Sequence, residues 1–153
     1  MKTLSVTAEV NAPLSIVWQV VADVYNYHLY APNITESVYV RGDGVNSVRK
    51  CSSKEGSWLE VCTNWSNLDS YSYKVLTEGD NYPYPFKALD ATWKTVEISS
   101  GKVEINLTIN ISFKYKLMEF FVYPLMKRKY QSICDQLMVN WQRECHKKLT
   151  EAA

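Results

Sequence analysis

Residues 119–149 read EFFVYPLMKRKYQSICDQLMVNWQRECHKKL. From Pro124 onward the stretch has no glycine and no second proline, and its apolar residues recur at helical spacing: Met126, Tyr130, Ile133, Cys134, Leu137, Trp141, Cys145 and Leu149. Lys127, Arg128, Asp135, Arg143, Lys147 and Lys148 fall mostly on the other side. Pro124 suits a first helical turn, where a missing N–H costs nothing. About 25 residues at 1.5 Å rise make a rod of roughly 37 Å. A helix with one apolar stripe is not stable alone at this length, so it must lie on a wide apolar surface.

The preceding residues supply that surface. Val103, Ile105, Leu107, Ile109, Ile111, Phe113 and Tyr115 alternate with Glu104, Asn106, Thr108, Asn110, Ser112 and Lys114, which predicts a strand with one dry and one wet face. A partner strand meets it at the turn Ser99-Ser100-Gly101. Further upstream, strands are expected at Ile34–Arg41, Val45–Ser53, Ser57–Asn67 and Tyr71–Leu76, separated by turns at 42–44, 54–56 and 68–70. Residues 77–85 form a turn-rich loop. At the start of the chain Leu4, Val6, Ala8 and Val10 predict a first strand. An amphipathic helix opening on Pro13 follows it, and then a short helix at Val24–Leu29 that Asp23 is placed to cap. The order is one strand, two short helices, about six antiparallel strands and one long helix: an α+β fold in one domain covering residues 1–153. About seven strands curl around the long C-terminal helix and leave a pocket at one end.

Composition narrows the function. Seventeen basic and sixteen acidic residues give a net charge of +1, without the electrostatic footprint of a nucleic-acid binder. Eleven tyrosines and five tryptophans suit a cavity that is neither dry core nor open surface. No apolar run reaches the ~20 residues needed to span a bilayer, and the first residues lack a signal core, so a cytoplasmic location is expected. Cys51 and Cys62 fall opposite each other if a hairpin turns near Glu55-Gly56, but free thiols are expected in a reducing compartment. Cys134 and Cys145, eleven residues apart on one helix, are roughly 16 Å apart and cannot share a metal. No metal or cofactor site is expected. His28 and His146 lack neighbours that would make them catalytic, and the dipole of the helix C-terminus accounts for His146.

Several motifs together resemble the polyketide cyclase/dehydrase branch of the START-like, helix-grip (Bet v 1-like) superfamily. They are Val10-Asn11-Ala12-Pro13 with Val17-Trp18, then Val21-Ala22-Asp23 with Tyr25-Asn26-Tyr27, and Tyr30-Ala31-Pro32 where the family usually has Trp-Ala-Pro. Gly42-Asp43-Gly44 with Arg49, Gly56 with Trp58 and Glu60, and Ala91-Thr92-Trp93 complete the pattern. The resemblance implies a deep cavity between sheet and last helix that accepts lipid-like or aromatic small molecules. Some members cyclise and aromatise polyketides, and others carry ligands or act through partner proteins. Fold alone does not choose among these.

Candidate site residues follow. Arg49, midway along a strand, either reaches into the cavity to bind an oxygen anion or lies on the outer face with Lys50 inward. Glu60, on the next strand, either pairs with Arg49 or serves as a base. These two are the catalytic candidates if the chain is a cyclase. Trp58, Tyr71, Tyr73, Trp93 and Trp141 are either ligand-stacking walls or core. Tyr30 and Tyr84, with Tyr25, Tyr27, Tyr82 and Phe86, are expected around the mouth. On the long helix Ile133 and Leu137 are expected to seal against the sheet, Leu137 also touching ligand, while Tyr130, Cys134 and Trp141 border unfilled space. Asn140 is expected in solvent. The primary expectation is a hydrophobic small-molecule binder acting as a monomer or homodimer; a cyclase and a protein-interaction module are the alternatives.

Overall fold

The structure, a computed structural model, describes residues 1–153. The chain runs β1 (Lys2–Val10), α1 (Leu14–Val21), a 3-10 turn (Val24–Asn26), α2 (Tyr27–Tyr30), then β2 (Glu36–Arg41), β3 (Val48–Ser52), β4 (Ser57–Ser66) and β5 (Ser70–Leu76). Two long strands, β6 (Phe86–Ser99) and β7 (Lys102–Phe113), precede α3 (Lys116–Phe121) and the 29-residue α4 (Tyr123–Glu151). The seven strands form one antiparallel sheet in the order β1-β7-β6-β5-β4-β3-β2. The helices after β1 carry the chain from one sheet edge to the other, so β2 to β7 zigzag back until β7 pairs with β1. This is the helix-grip fold.

The strand alternation and the helix stripe meet as expected. Val103, Ile105, Leu107, Ile109, Ile111 and Phe113 all point into the core, and Cys134, Leu137, Met138, Trp141 and Cys145 are buried on α4. Burial of one such large apolar side chain stabilises by about 1.5–3 kcal/mol, so this seam dominates the packing. The stripe departs from the expected one at its ends. Leu149 is exposed near the C-terminal end of α4 and Met126 is half-buried, while Met138 joins the core as the i+4 neighbour of Cys134. Tyr115 lies beyond the end of β7 and is exposed. Gly101, at φ +73, makes the tight turn between β6 and β7.

Three local expectations are corrected. The side chain of Asp23 does not cap a helix; its Oδ2 accepts a bond from Asn26 Nδ2 at 2.9 Å. Asn140 is not free in solvent, since its Nδ2 donates to the Tyr30 carbonyl at 2.7 Å and ties α2 to α4. Cys51 and Cys62 do not face each other: the hairpin turns so that Arg49 opposes Glu60 and Cys51 opposes Trp58. Cys62 instead lies across from Tyr73. All four cysteines are free and buried.

Burial raises the Cys51, Cys134 and Cys145 thiols from 9.0 to about 12. A thiol-specific disulfide reagent at mildly alkaline pH is expected to leave the native chain unmodified and to titrate four thiols after unfolding. Because the folded thiols hold their protons more tightly than open ones, their contribution to stability is complete below pH 9 and lost as pH rises toward 12. Rapid modification of the native protein would contradict this packing.

Candidate functional site

Strand periodicity decides which side chains face α4. On β3, Arg49 and Cys51 point inward and Lys50 outward, so Arg49 takes the cavity side rather than the outer face. The β3–β4 register brings Arg49 opposite Glu60. Arg49 Nε and Nη2 both donate to Glu60 Oε2, at 2.8 and 2.7 Å. The other carboxylate oxygen, Oε1, accepts from Trp58 Nε1 at 2.8 Å. The Arg49 guanidinium also lies 4.1 Å from the Tyr73 ring centre and 4.9 Å from that of Tyr27. It is 2% exposed, so these aromatic faces and one carboxylate replace its water. Burial opposes the Arg49 charge, but the Glu60 carboxylate overrides that and holds the guanidinium protonated beyond its usual range. Arg49 Nη1 has one long bond, 3.5 Å, to the Val24 carbonyl. Its hydrogen-bonding capacity is therefore only partly used.

Beside this pair is a cavity of about 100 Å³, of whose twenty lining residues seventeen are hydrophobic. Its walls come from the inward positions of β3 to β7, from the segment 27–34 and from α4. Typical ligand sites are roughly 300–1,000 Å³, so this one is small, with room for a single ring or a short chain. Asn33, Tyr84, Tyr130 and Ile133 border both this cavity and a shallow surface depression, and so mark its mouth. The loop 77–85 that carries Tyr82 and Tyr84 packs against the β3–β4 turn. A Cβ on Gly56 would come within 2.5 Å of the Asn81 carbonyl oxygen, so only glycine lets the loop approach this closely. Tyr82 and Tyr84 both meet Trp58 edge-on. Burial raises the phenols of Tyr27, Tyr82 and Tyr130 well above the usual range, and that of Tyr73 to about 12. Two buried polar atoms of lining residues, Tyr82 Oη and Trp93 Nε1, have no hydrogen-bond partner.

Of the residues singled out in the sequence, Arg49, Trp58, Glu60, Tyr73 and Tyr84 line this cavity, as do Trp93, Tyr130, Cys134 and Leu137. Three others do not. Tyr71 is fully buried beside it, stacked on Trp65 and Trp93, and its hydroxyl donates to the Val21 carbonyl at 2.7 Å. Trp141 is also fully buried, edge-on to Tyr27, in the seam between α4 and the core. Tyr30 packs half-buried on α2 without reaching the void. Around the expected mouth, Phe86 is core and Tyr25 is exposed, stacked on Tyr39 at 4.5 Å. Ile133, expected to seal the core, borders the opening instead. Ala31, Val75 and Ala91 were not legible as site residues, because small or aliphatic side chains carry no sign that they face a void.

The family model described as polyketide cyclase/dehydrase and lipid transport matches residues 1–145. A comparison with curated proteins finds no match. Among solved structures, a protein of Thermus thermophilus superposes with a TM-score of 0.77 at 14% identity, covering 96% of this chain and 99% of that one. A START superfamily protein of Mycobacterium smegmatis gives 0.74 at 14% identity, with 95% and 97% covered. The Zhui aromatase/cyclase of Streptomyces sp. R1128 gives 0.69 at 15% identity, with 96% and 92% covered. At these identities the superpositions establish a shared fold.

Proposed function

The chain belongs to the polyketide cyclase/dehydrase and lipid transport family, and from that premise we propose that it binds a small hydrophobic or aromatic molecule in the cavity between sheet and α4, without a covalent step. The observation that carries this reading is an apolar cavity between sheet and α4, seventeen of whose twenty lining residues are hydrophobic, with the Arg49–Glu60 pair in its wall. A guest with an apolar body and one polar oxygen, such as a phenol, a ketone or a short fatty acid, fits that lining. The Arg49 guanidinium favours an oxygen with anionic character.

The cyclase or aromatase reading rests on the same Arg49 and the cavity tyrosines. With their phenols raised by burial, Tyr27, Tyr73, Tyr82 and Tyr130 stay protonated at neutral pH and can donate to a bound carbonyl. Proton abstraction also needs a base, and both Glu60 oxygens are engaged. Binding without turnover therefore fits the cavity better.

Native mass spectrometry and thermal unfolding against single-ring phenols, short fatty acids and multi-ring polyphenols test the proposal. Single-ring and short-chain ligands are expected to bind and to stabilise by about 2.7 kcal/mol at a hundredfold excess over Kd. Failure of the whole panel on a folded protein would overturn binding; consumption of a polyketide-like ligand would favour the cyclase.

A further inference from the structure

The connection from β7 into α4 turns an apolar face toward solvent. Tyr115, Leu117, Phe120, Phe121 and Leu125 are 66, 72, 76, 66 and 74% exposed. The last four follow i, i+3, i+4, i+8 spacing, which makes one continuous helical face. The opposite face supplies Met118, Tyr123 and Met126, which pack against the core, so α3 is anchored from beneath while its large apolar residues stand outward. A contiguous exposed patch of aromatic and leucine side chains is costly in water and marks an interaction surface.

Charge identifies what it meets. Lys114, Lys116, Lys127, Arg128 and Lys129 are all exposed along the same segment, with the Lys129 ammonium 3.7 Å from Glu55. The only acidic residue among 114–129, Glu119, is held 3.1 Å from the N-terminal ammonium. Five basic side chains less one acidic give this segment +4, against +1 for the whole chain, which leaves −3 on the remainder. The near-neutral total thus hides a basic segment. A second copy docking through the same face would set +4 against +4, which disfavours a symmetric dimer. Aromatic and leucine side chains framed by lysines match an anionic bilayer, whose boundary takes the rings while its headgroups meet the ammonium groups.

We propose that α3 and the first turn of α4 form a docking surface for anionic lipid membranes. Phe120, Phe121, Leu117 and Leu125 enter the headgroup boundary, and the flanking basic residues pair with lipid headgroups. The surface lies close to the candidate cavity: Leu125 precedes Tyr130, at the mouth, by five residues, about 7.5 Å along the helix. Docking does not depend on the cavity being occupied, so it stands or falls separately from ligand binding.

Flotation of the full chain with vesicles tests it. Equimolar phosphatidylcholine and phosphatidylglycerol vesicles are expected to carry the protein, pure phosphatidylcholine vesicles far less, with binding falling as salt rises. Phe120→Ser with Phe121→Ser, at exposed positions, is expected to keep the native circular dichroism and thermal midpoint while losing flotation. Each basic residue strengthens binding to such a surface about fivefold, so Lys127→Gln with Arg128→Gln is expected to weaken it roughly thirtyfold. Absence of binding to anionic vesicles, equal binding to neutral ones, or flotation unchanged by the Phe120/Phe121 pair would each overturn the proposal. A wild-type dimer that the same pair makes monomeric, with no flotation, would assign the face to a second copy instead.

Discussion

Arg49→Ala is expected to destabilise the protein by about 3–5 kcal/mol, measured as a lower denaturant midpoint with little change in slope. The substitution does more than remove a contact. Glu60 is 8% exposed, and without the guanidinium its carboxylate keeps only the Trp58 Nε1 donor in a low-dielectric wall. The aromatic faces of Tyr27 and Tyr73 lose the cation between them, worth about 0.5–2 kcal/mol. Glu60→Ala should cost a similar amount for the converse reason, a buried guanidinium without its counter-charge. Replacing both, Arg49→Met with Glu60→Leu, removes charge and counter-charge together, and buried pairs so replaced are often neutral or more stable by about 1–4 kcal/mol. The cycle separates two roles. If the double variant is as stable as wild type yet binds phenolic ligands more weakly, the pair serves the cavity, orienting a guest oxygen, rather than the fold. A single Arg49→Ala variant with an unchanged midpoint would mean the guanidinium is not buried against Glu60 at all.

The same pair shows what sequence can and cannot reveal about a site of this kind. Arg49 and Glu60 lie on adjacent strands joined by a short glycine-containing turn, so a pairing between them was legible. The Cys51–Cys62 juxtaposition failed because a shift in the hairpin turn moves every pair in the register. The long helix and β7 were legible because many residues repeat the same period, so a few exceptions such as Met138 and Leu149 do not obscure it. α3 was not: Leu117, Phe120 and Phe121 face outward, so a rule that apolar residues point to the core assigns them no place. Depth is the hardest property. Tyr71 and Tyr73 point inward from the same strand, yet Tyr71 is locked into stacked rings while Tyr73 borders empty space. Periodicity gives the face of a strand, whereas a void depends on which atoms are missing across from it.

That dependence makes the void testable by filling it. Ala91→Leu is expected to weaken binding of a single-ring ligand by roughly fiftyfold, since three added carbon atoms displace about that much of the guest at ~0.8 kcal/mol each. Ala91 is suited to this because it is buried, projects from β6 toward the cavity and lies between Tyr73 and Ile109 in the sheet. A cavity of about 100 Å³ offers room for a leucine side chain, so the midpoint of the unliganded protein should hold or rise slightly. The two readouts move in opposite directions only if a real void exists and the ligand occupies it. If Ala91→Leu costs the 1–3 kcal/mol typical of overpacking, the space is already filled by side chains. If binding persists with the fold intact, the ligand lies outside the sheet–helix cavity, and the depression at the mouth becomes the site to examine. Membrane flotation should be unaffected in either case, because Ala91 is buried on β6 whereas the ridge of α3 is exposed, and that independence keeps the two proposed surfaces separable by experiment.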